Sequence, residues 1–412
     1  MADIVVDAVV VGAGPAGAAA ATTLARSGAS VLVIDRATFP RDKTCGDGLT
    51  TLALRELASL GLDPAAVPSW HPAHGAVIHA PGGREVRLPL PHGPGAYAAI
   101  ARRIDLDLAL VELARRAGAH LEEGAELLDA SIVDDGVVLR VDRLGTIAAR
   151  VAVGADGAWS PLRRALGLAE PGYRGEWHAF RQYLTGVGPA AAELHVWFEA
   201  DLLPGYVWSF PLPDGGANVG FMAERGDRLD GGAMKRWWPQ LLARPRIREV
   251  LGPAARPEAP HRAWPIPARI DRAPLGVGPV ALVGDAAAAT DVFTGEGIGQ
   301  ALLTGRLAAE TIVALGPHRG GELAERYAAA ARHELVADHR MSARLSRVMA
   351  SPGRADAALR VIDASPWTRA HVGRWLFEDS PRAIALTPRR WGRGVLHGDG
   401  AWAPSEVTGA GR

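Results

Sequence analysis

The first clear pattern along the chain is a β-branched run, Val5-Val6-Asp7-Ala8-Val9-Val10-Val11, broken only at Asp7. A short apolar run of this kind reads as a buried strand. Gly12-Ala13-Gly14-Pro15-Ala16-Gly17 follows, and residues 18–27 are an alanine-rich helical stretch that Gly28 closes as a C-terminal cap. Val31-Leu32-Val33-Ile34-Asp35 predicts a second buried strand. Strand, glycine loop, helix and strand within about 30 residues form a βαβ unit and predict an α/β chain with a parallel sheet.

Further along, residues 104–117 are amphipathic and end at Gly118, which predicts a helix. Residues 139–141 and 149–153 alternate like strands of a smaller sheet, and residues 151–157 read as a buried strand ending in a turn. Aromatic residues and prolines are denser between about Trp177 and Trp264, where residues 194–198, 206–210 and 217–221 alternate like an antiparallel sheet. Residues 280–285 predict another buried strand and residues 297–313 a long helix. From about Pro317 the chain reads mostly as helices carrying Arg and Trp, and the Gly-, Ala- and Pro-rich tail after Trp391 is expected to be poorly ordered. The expected architecture is a Rossmann-like nucleotide-binding domain from residues 1–75, 101–176 and 266–315. A mixed or antiparallel substrate-binding sheet from residues 76–100 and 177–265 interleaves with it, and residues 316–412 form a C-terminal helical region.

The glycine loop fits a dinucleotide phosphate site because a strand precedes it and a helix opens from it. Gly12 permits the turn, Gly14 lets the backbone approach a diphosphate, and Gly17 lets helix and strand pack closely. The helix N-terminus offers free N–H groups and partial positive charge to the phosphates. Asp35, 18 residues after Gly17, suits ribose hydroxyls and would repel a 2′-phosphate. Two further elements set this chain apart from one that only binds NAD(P), namely Gly154-Ala155-Asp156-Gly157 and Gly284-Asp285-Ala286-Ala287. A strand-end Asp285 followed by small residues can hydrogen-bond a ribityl chain and leave room for a flavin.

These three elements, in this order, resemble the group of FAD enzymes that includes aromatic hydroxylases, flavin-dependent halogenases and geranylgeranyl reductases. Four stretches resemble the geranylgeranyl reductase family more specifically: Lys43-Thr44-Cys45-Gly46-Asp47-Gly48-Leu49-Thr50, Arg103-Ile104-Asp105-Leu106-Asp107, Pro204-Gly205-Tyr206-Val207-Trp208-Ser209-Phe210-Pro211 with Asn218-Val219-Gly220, and Phe293-Thr294-Gly295-Glu296-Gly297-Ile298. The resemblance spans roughly residues 5–310. It departs at Gly220-Phe221-Met222, where the family often has a second glycine. The resemblance implies FAD held by Gly12, Ala13, Gly14, Pro15, Ala16 and Gly17, by Asp35 and Arg36, and by Cys45, Gly46 and Arg103. Leu127, Asp156, Gly284 and Asp285 complete it, with Gly295, Gly297 and Ile298 at the flavin pyrimidine edge, where reduction gathers negative charge.

Tyr206, Trp208 and Phe210 lie two apart on one strand and so share a face, which suits either core packing or an aromatic wall for a long apolar chain or planar ring. Cys45 is expected near the isoalloxazine by resemblance, as a tuner, a proton donor, a wall residue or simply a small buried side chain. Glu296, Tyr206 and Asp47 are candidate proton donors, and Cys45 and Glu296 are the expected catalytic pair. No metal site is expected.

The reading is an FAD-dependent oxidoreductase that reduces C=C bonds of a geranylgeranyl-type isoprenoid or related apolar substrate, with NAD(P)H or another redox protein as electron donor. A monooxygenase tailoring a natural product is the alternative. A halogenase fits less well, because Arg262-Ala263-Trp264-Pro265-Ile266-Pro267 keeps only half of the W-x-W-x-I-P pattern and Lys43 and Lys235 are poor candidates for its lysine. A non-catalytic prenyl carrier would not need an intact phosphate loop together with Asp285. Lys+Arg and Asp+Glu both total 45, so no basic surplus points to nucleic acid. A single cysteine excludes an intrachain disulfide and fits a reducing, cytoplasmic setting. No continuous apolar run approaches the roughly 18 residues of a membrane span. Residues 335–349 are amphipathic and Arg-rich, first a solvated face and otherwise a peripheral contact with a membrane. Oligomeric state leaves no signal.

Overall fold

The structure, a computed structural model, describes residues 2–91, 95–134, 136–226, 231–316, 318–388 and 399–403. The β-branched run is the strand Ile4–Val11, central in a sheet that has eight strands among the described residues. It pairs in parallel with Val31–Asp35 on one edge and Gly145–Gly154 on the other, and Val280–Leu282 continues the parallel order beyond Gly145–Gly154. Its last four residues are fully buried, as expected for a parallel strand covered on both faces. Helix α1 (Pro15–Arg26) packs against α2 (Arg103–Arg116) and against the long helix α3 (Ile298–Leu315).

Residues 139–141 and 149–153 do not form a separate small sheet. Gly145–Gly154 is one ten-residue strand whose first half pairs antiparallel with Gly136–Val141 and whose last residues pair with Val280–Leu282. A strand has two edges, and alternation along the chain does not say which partner takes each.

A second sheet, also eight-stranded among the described residues, runs in the order Arg256–Pro257, Trp177–Thr185, Ala217–Glu224, Tyr206–Pro211, Leu194–Trp197, Gly75–His79, Glu85–Pro89, with Arg262–Ile266 also on Trp177–Thr185. Its one parallel junction, Leu194–Trp197 on Gly75–His79, joins the early hairpin to the later strands. Three helices close the molecule: α4 (Leu323–Met349), α5 (Pro352–Ile362) and α6 (Pro366–Leu376). The N-terminal half of α4 covers strands of the first sheet, and α6 lies on Glu85–Pro89 of the second, so close that a Cβ at Gly373 would sit 2.8 Å from the Pro89 carbonyl oxygen.

Helix α3 begins one residue later and ends two residues later than the pattern predicts, with Gly297 at its start and Gly316 at its end. It is long and apolar enough to cross a membrane by length and composition, yet over half of it is buried against α1 and Thr51–Ser59. Arg306 and Glu310 interrupt its apolar run, so continuity of apolar residues alone does not mark it. Of the tail after Trp391, residues 399–403 are docked rather than loose. Ala401 bridges Ala96, and the Trp402 indole N–H donates to the Leu62 carbonyl at 3.0 Å. The rest of the tail lies outside the described residues.

Candidate active site

The turn after Ile4–Val11 is built on close backbone approach. Gly12 has φ +100°, and a Cβ there would come 2.4 Å from the Ala155 carbonyl oxygen, while one at Gly17 would come 1.8 Å from the Gly12 oxygen. At Gly14 a Cβ would meet only the Arg41 guanidinium, at 3.7 Å. That position is therefore bare for another reason: it leaves the backbone open to a cavity. Gly14 caps α1 with no side-chain acceptor, so the first-turn N–H groups remain available to an anion. Asp35 fixes the turn, its carboxylate accepting from the Ala13 and Ala37 amides at 2.7 and 2.8 Å. Its remaining lone pairs suit sugar hydroxyls. An open cradle, free amides and a carboxylate beside them fit the diphosphate and ribose of FAD.

The cavity holds about 670 Å³. Every cofactor residue expected from the sequence lines it except Ala13 and Gly17, which stand behind as backbone supports. The Asp156 and Asp285 turns are held together by Arg163, whose guanidinium donates to the Ala286 carbonyl at 2.8 Å and the Ala158 carbonyl at 2.7 Å. Gly284 is anchored to α3 by its amide, which donates to Thr304 Oγ1 at 2.9 Å. The Phe293–Ile298 loop is shaped by Asp291, which accepts from the Phe293 and Thr294 amides at 3.0 and 2.8 Å.

Tyr206, Trp208 and Phe210 all face the cavity. The strand register sets Trp208 opposite Gly220, where a Cβ would lie 2.3 Å from the indole, so glycine is what lets the ring lie flat on the sheet. Met222, at the departure from the family pattern, fills the space of the missing glycine beside Gly295. Beyond the aromatic wall the cavity turns wholly apolar, between Ile78, Leu88 and Val196 of the second sheet and Leu345, Leu359 and Leu376 of α4, α5 and α6.

Cys45 shows its free surface to this cavity, beside Arg103. Arg103 does not reach out alone: it makes a bidentate pair with Asp107 at 2.7 Å, and Arg41 joins the same carboxylate at 2.8 Å. Burial pushes the Cys45 thiol up, so it is a neutral thiol at neutral pH. Behind it Asp47 is fully buried and left-handed at φ 64°, accepting from Tyr183 Oη at 2.6 Å and from Asn218 Nδ2 at 2.8 Å. Burial raises its carboxyl to about 6 against the pull of Tyr183, Arg181 and Asn218. Asn218 also accepts from the Trp208 indole at 3.0 Å, which locks the aromatic wall to the Cys45 segment.

Glu296 lines the cavity, and burial together with the Glu378 carboxyl pushes it up to about 8. Glu378, at left-handed φ 59° just after α6, accepts from Thr50 at 2.8 Å and Gln300 at 3.0 Å. Arg382, 3% exposed, reaches Asp291 at 3.3 Å and Glu378 at 3.4 Å. Lys43 reaches the wall as well, its ammonium 3.9 Å above the Trp264 ring, with burial lowering it to about 8. Asp47 is a candidate from the sequence; Tyr183, Arg181, Glu378, Arg382 and the α4–α6 wall emerge only in the fold. The two-residue spacing of Arg181 and Tyr183 on Trp177–Thr185 was a usable signal; Glu378 and Arg382 carried none.

Residues 5–338 match the family described as FAD binding domain. The chain is 37% identical over 342 residues to the menaquinone reductase of Mycobacterium tuberculosis, covering 74% of this chain and 76% of that one. It is 33% identical over 312 residues to digeranylgeranylglycerophospholipid reductase 2 of Methanopyrus kandleri, covering 74% and 76%. A crystal structure of a geranylgeranyl bacteriochlorophyll reductase-like protein from Thermoplasma acidophilum superposes with a TM-score of 0.77 at 20% identity, covering 94% of this chain and 100% of that one.

Proposed function

This chain belongs to the FAD binding domain family, and on that premise we propose that it reduces C=C bonds in the isoprenoid part of a lipid. It is an FAD-dependent oxidoreductase. The observation that carries the substrate reading is the shape of the cavity: it continues from the cofactor loops past Tyr206, Trp208 and Phe210 into an apolar compartment under α4–α6. A compartment with few polar groups recognises a substrate by burial, and a prenyl chain offers little else to recognise. The relatives' names, which speak of menaquinone and of a digeranylgeranylglycerophospholipid, agree with that chemistry.

The loop Gly12–Gly17 and α1 would hold the diphosphate, Asp35 a ribose, Asp285 the ribityl chain, and the amides of Gly295, Gly297 and Ile298 the pyrimidine edge. Bound FAD supplies two-electron reducing chemistry. The aromatic wall positions an alkene and excludes water. Glu296 holds a proton at its carboxyl oxygen on the cavity wall, neutral at pH 7 because it is buried beside Glu378. Trp208 is held in place through Asn218 and Asp47. Electrons arrive from NAD(P)H or from another redox protein.

The test is anaerobic. The purified yellow protein is reduced with dithionite and mixed with polyprenyl lipids while flavin absorbance and product mass are followed. Reoxidation with a product heavier by two hydrogens supports the proposal. Flavin that stays reduced until air is admitted, with oxygen then in the product, replaces it with a monooxygenase.

A further inference from the structure

The apolar compartment opens at Val348, which lines its wall and is still 44% exposed. The next two helices carry further exposed apolar side chains: Val361, next in sequence to the wall residue Ile362, is 68% exposed, and Trp367 at the start of α6 is 66% exposed. The same segment is basic. Residues 340–376 hold seven arginines against two aspartates, with no lysine or glutamate, in a chain whose formal net charge is zero. Both aspartates are already engaged, Asp363 by Arg84 at 2.9 Å and Asp356 by the Gly82 amide at 2.8 Å. Arg340, Arg344 and Arg347 follow each other along one stripe of α4 and are exposed, as is Arg360 on α5, and none has a carboxylate partner among the described residues.

We propose that the face formed by the end of α4, by α5 and by the start of α6 docks on an anionic lipid bilayer and sets the mouth of the compartment against the hydrocarbon. Val361 and Trp367 enter the interfacial layer, and the arginines reach phosphates with their stems lying along it. Tryptophan suits that depth because its ring is apolar and its N–H wants water. This rests on the isoprenoid-lipid reading: a substrate dissolved in the bilayer then passes from lipid to protein without crossing water.

The FAD-loaded full chain is floated with vesicles of phosphatidylcholine alone and of phosphatidylcholine with phosphatidylglycerol. Binding is expected only to the second, and to weaken as salt rises. Arg344→Glu and Arg347→Glu each weaken it by at least about fivefold, and Val361→Asp weakens it through the apolar contact. All three keep their flavin and reduce detergent-dispersed prenyl lipid at the parent rate, since none lines the cavity. Vesicle binding that is absent, indifferent to lipid charge or unchanged in these variants overturns the proposal, as does self-association through this face in place of vesicle binding. Turnover in detergent without vesicle binding would sink the docking surface and leave the reductase standing; vesicle binding without turnover would do the reverse.

Discussion

At Glu296, burial and the Glu378 carboxyl both favour the neutral acid, so the proton-holding form predominates at neutral pH. Turnover should therefore be level through pH 7 and fall as pH rises through about 8. Glu296→Gln should lose that limb and lower kcat about 10²- to 10⁴-fold if this carboxyl is the proton source, with the kcat-against-pH profile as the readout. Stability moves the same way. The unfolded carboxyl ionises near about 4.3, so between there and about 8 the unfolded chain binds fewer protons and the fold loses stability as pH rises. Glu296→Gln should then raise Tm at pH 8 and change it little at pH 4. The proposed roles of Asp35 and Trp208 are tested separately. Asp35→Ala should release FAD more readily, measured as flavin per chain after gel filtration, because the carboxylate positions the Ala13 and Ala37 amides. Trp208→Ala should leave flavin bound and raise KM for prenyl substrate. Loss of flavin from Trp208→Ala with KM unchanged would refute the division between cofactor loops and aromatic wall.

Among elements, α1 and α3 meet at bare backbone. A Cβ at Gly305 would lie 2.1 Å from the Ala16 carbonyl oxygen, so any side chain pushes α3 off α1. Gly305→Ala should cost about 1–3 kcal/mol, seen as a lower Tm, and should lower flavin occupancy because Thr304 next to it anchors Gly284. This scale also shows what was legible in the chain. Ile4–Val11, α1 and Val31–Asp35 could be read directly because each is specified by local periodicity and by glycines at fixed offsets. The aromatic face of Tyr206–Pro211 was legible for the same reason. The hairpin joined to Gly145–Gly154 was misplaced because pairing partners are a long-range choice. The lining contributed by α4–α6 was invisible: Leu345, Leu359 and Leu376 are ordinary amphipathic-helix leucines until the fold brings them to one compartment.

The whole molecule is tied together by Arg382. From beyond α6 it reaches Asp291, which shapes the Phe293–Ile298 loop, and Glu378, which bears on Glu296. Ser342 of α4 adds a hydrogen bond to the same Asp291 at 2.5 Å. Arg382→Met leaves two buried carboxylates without their cation and should cost about 3–5 kcal/mol, measured by chemical denaturation, with cofactor retention and substrate affinity falling together. A variant that lost one of these alone would show that the C-terminal helices are a lid on the substrate side only. The same arginine has a bearing on biogenesis. A ribosome delivers the Gly12–Gly17 turn some 370 positions before the residue that holds Asp291 and the Phe293–Ile298 loop. A nascent chain carrying every glycine of the dinucleotide motif therefore still has an unfinished pocket, and lasting capture of the cofactor waits for a chain that includes Arg382 rather than for the turn alone.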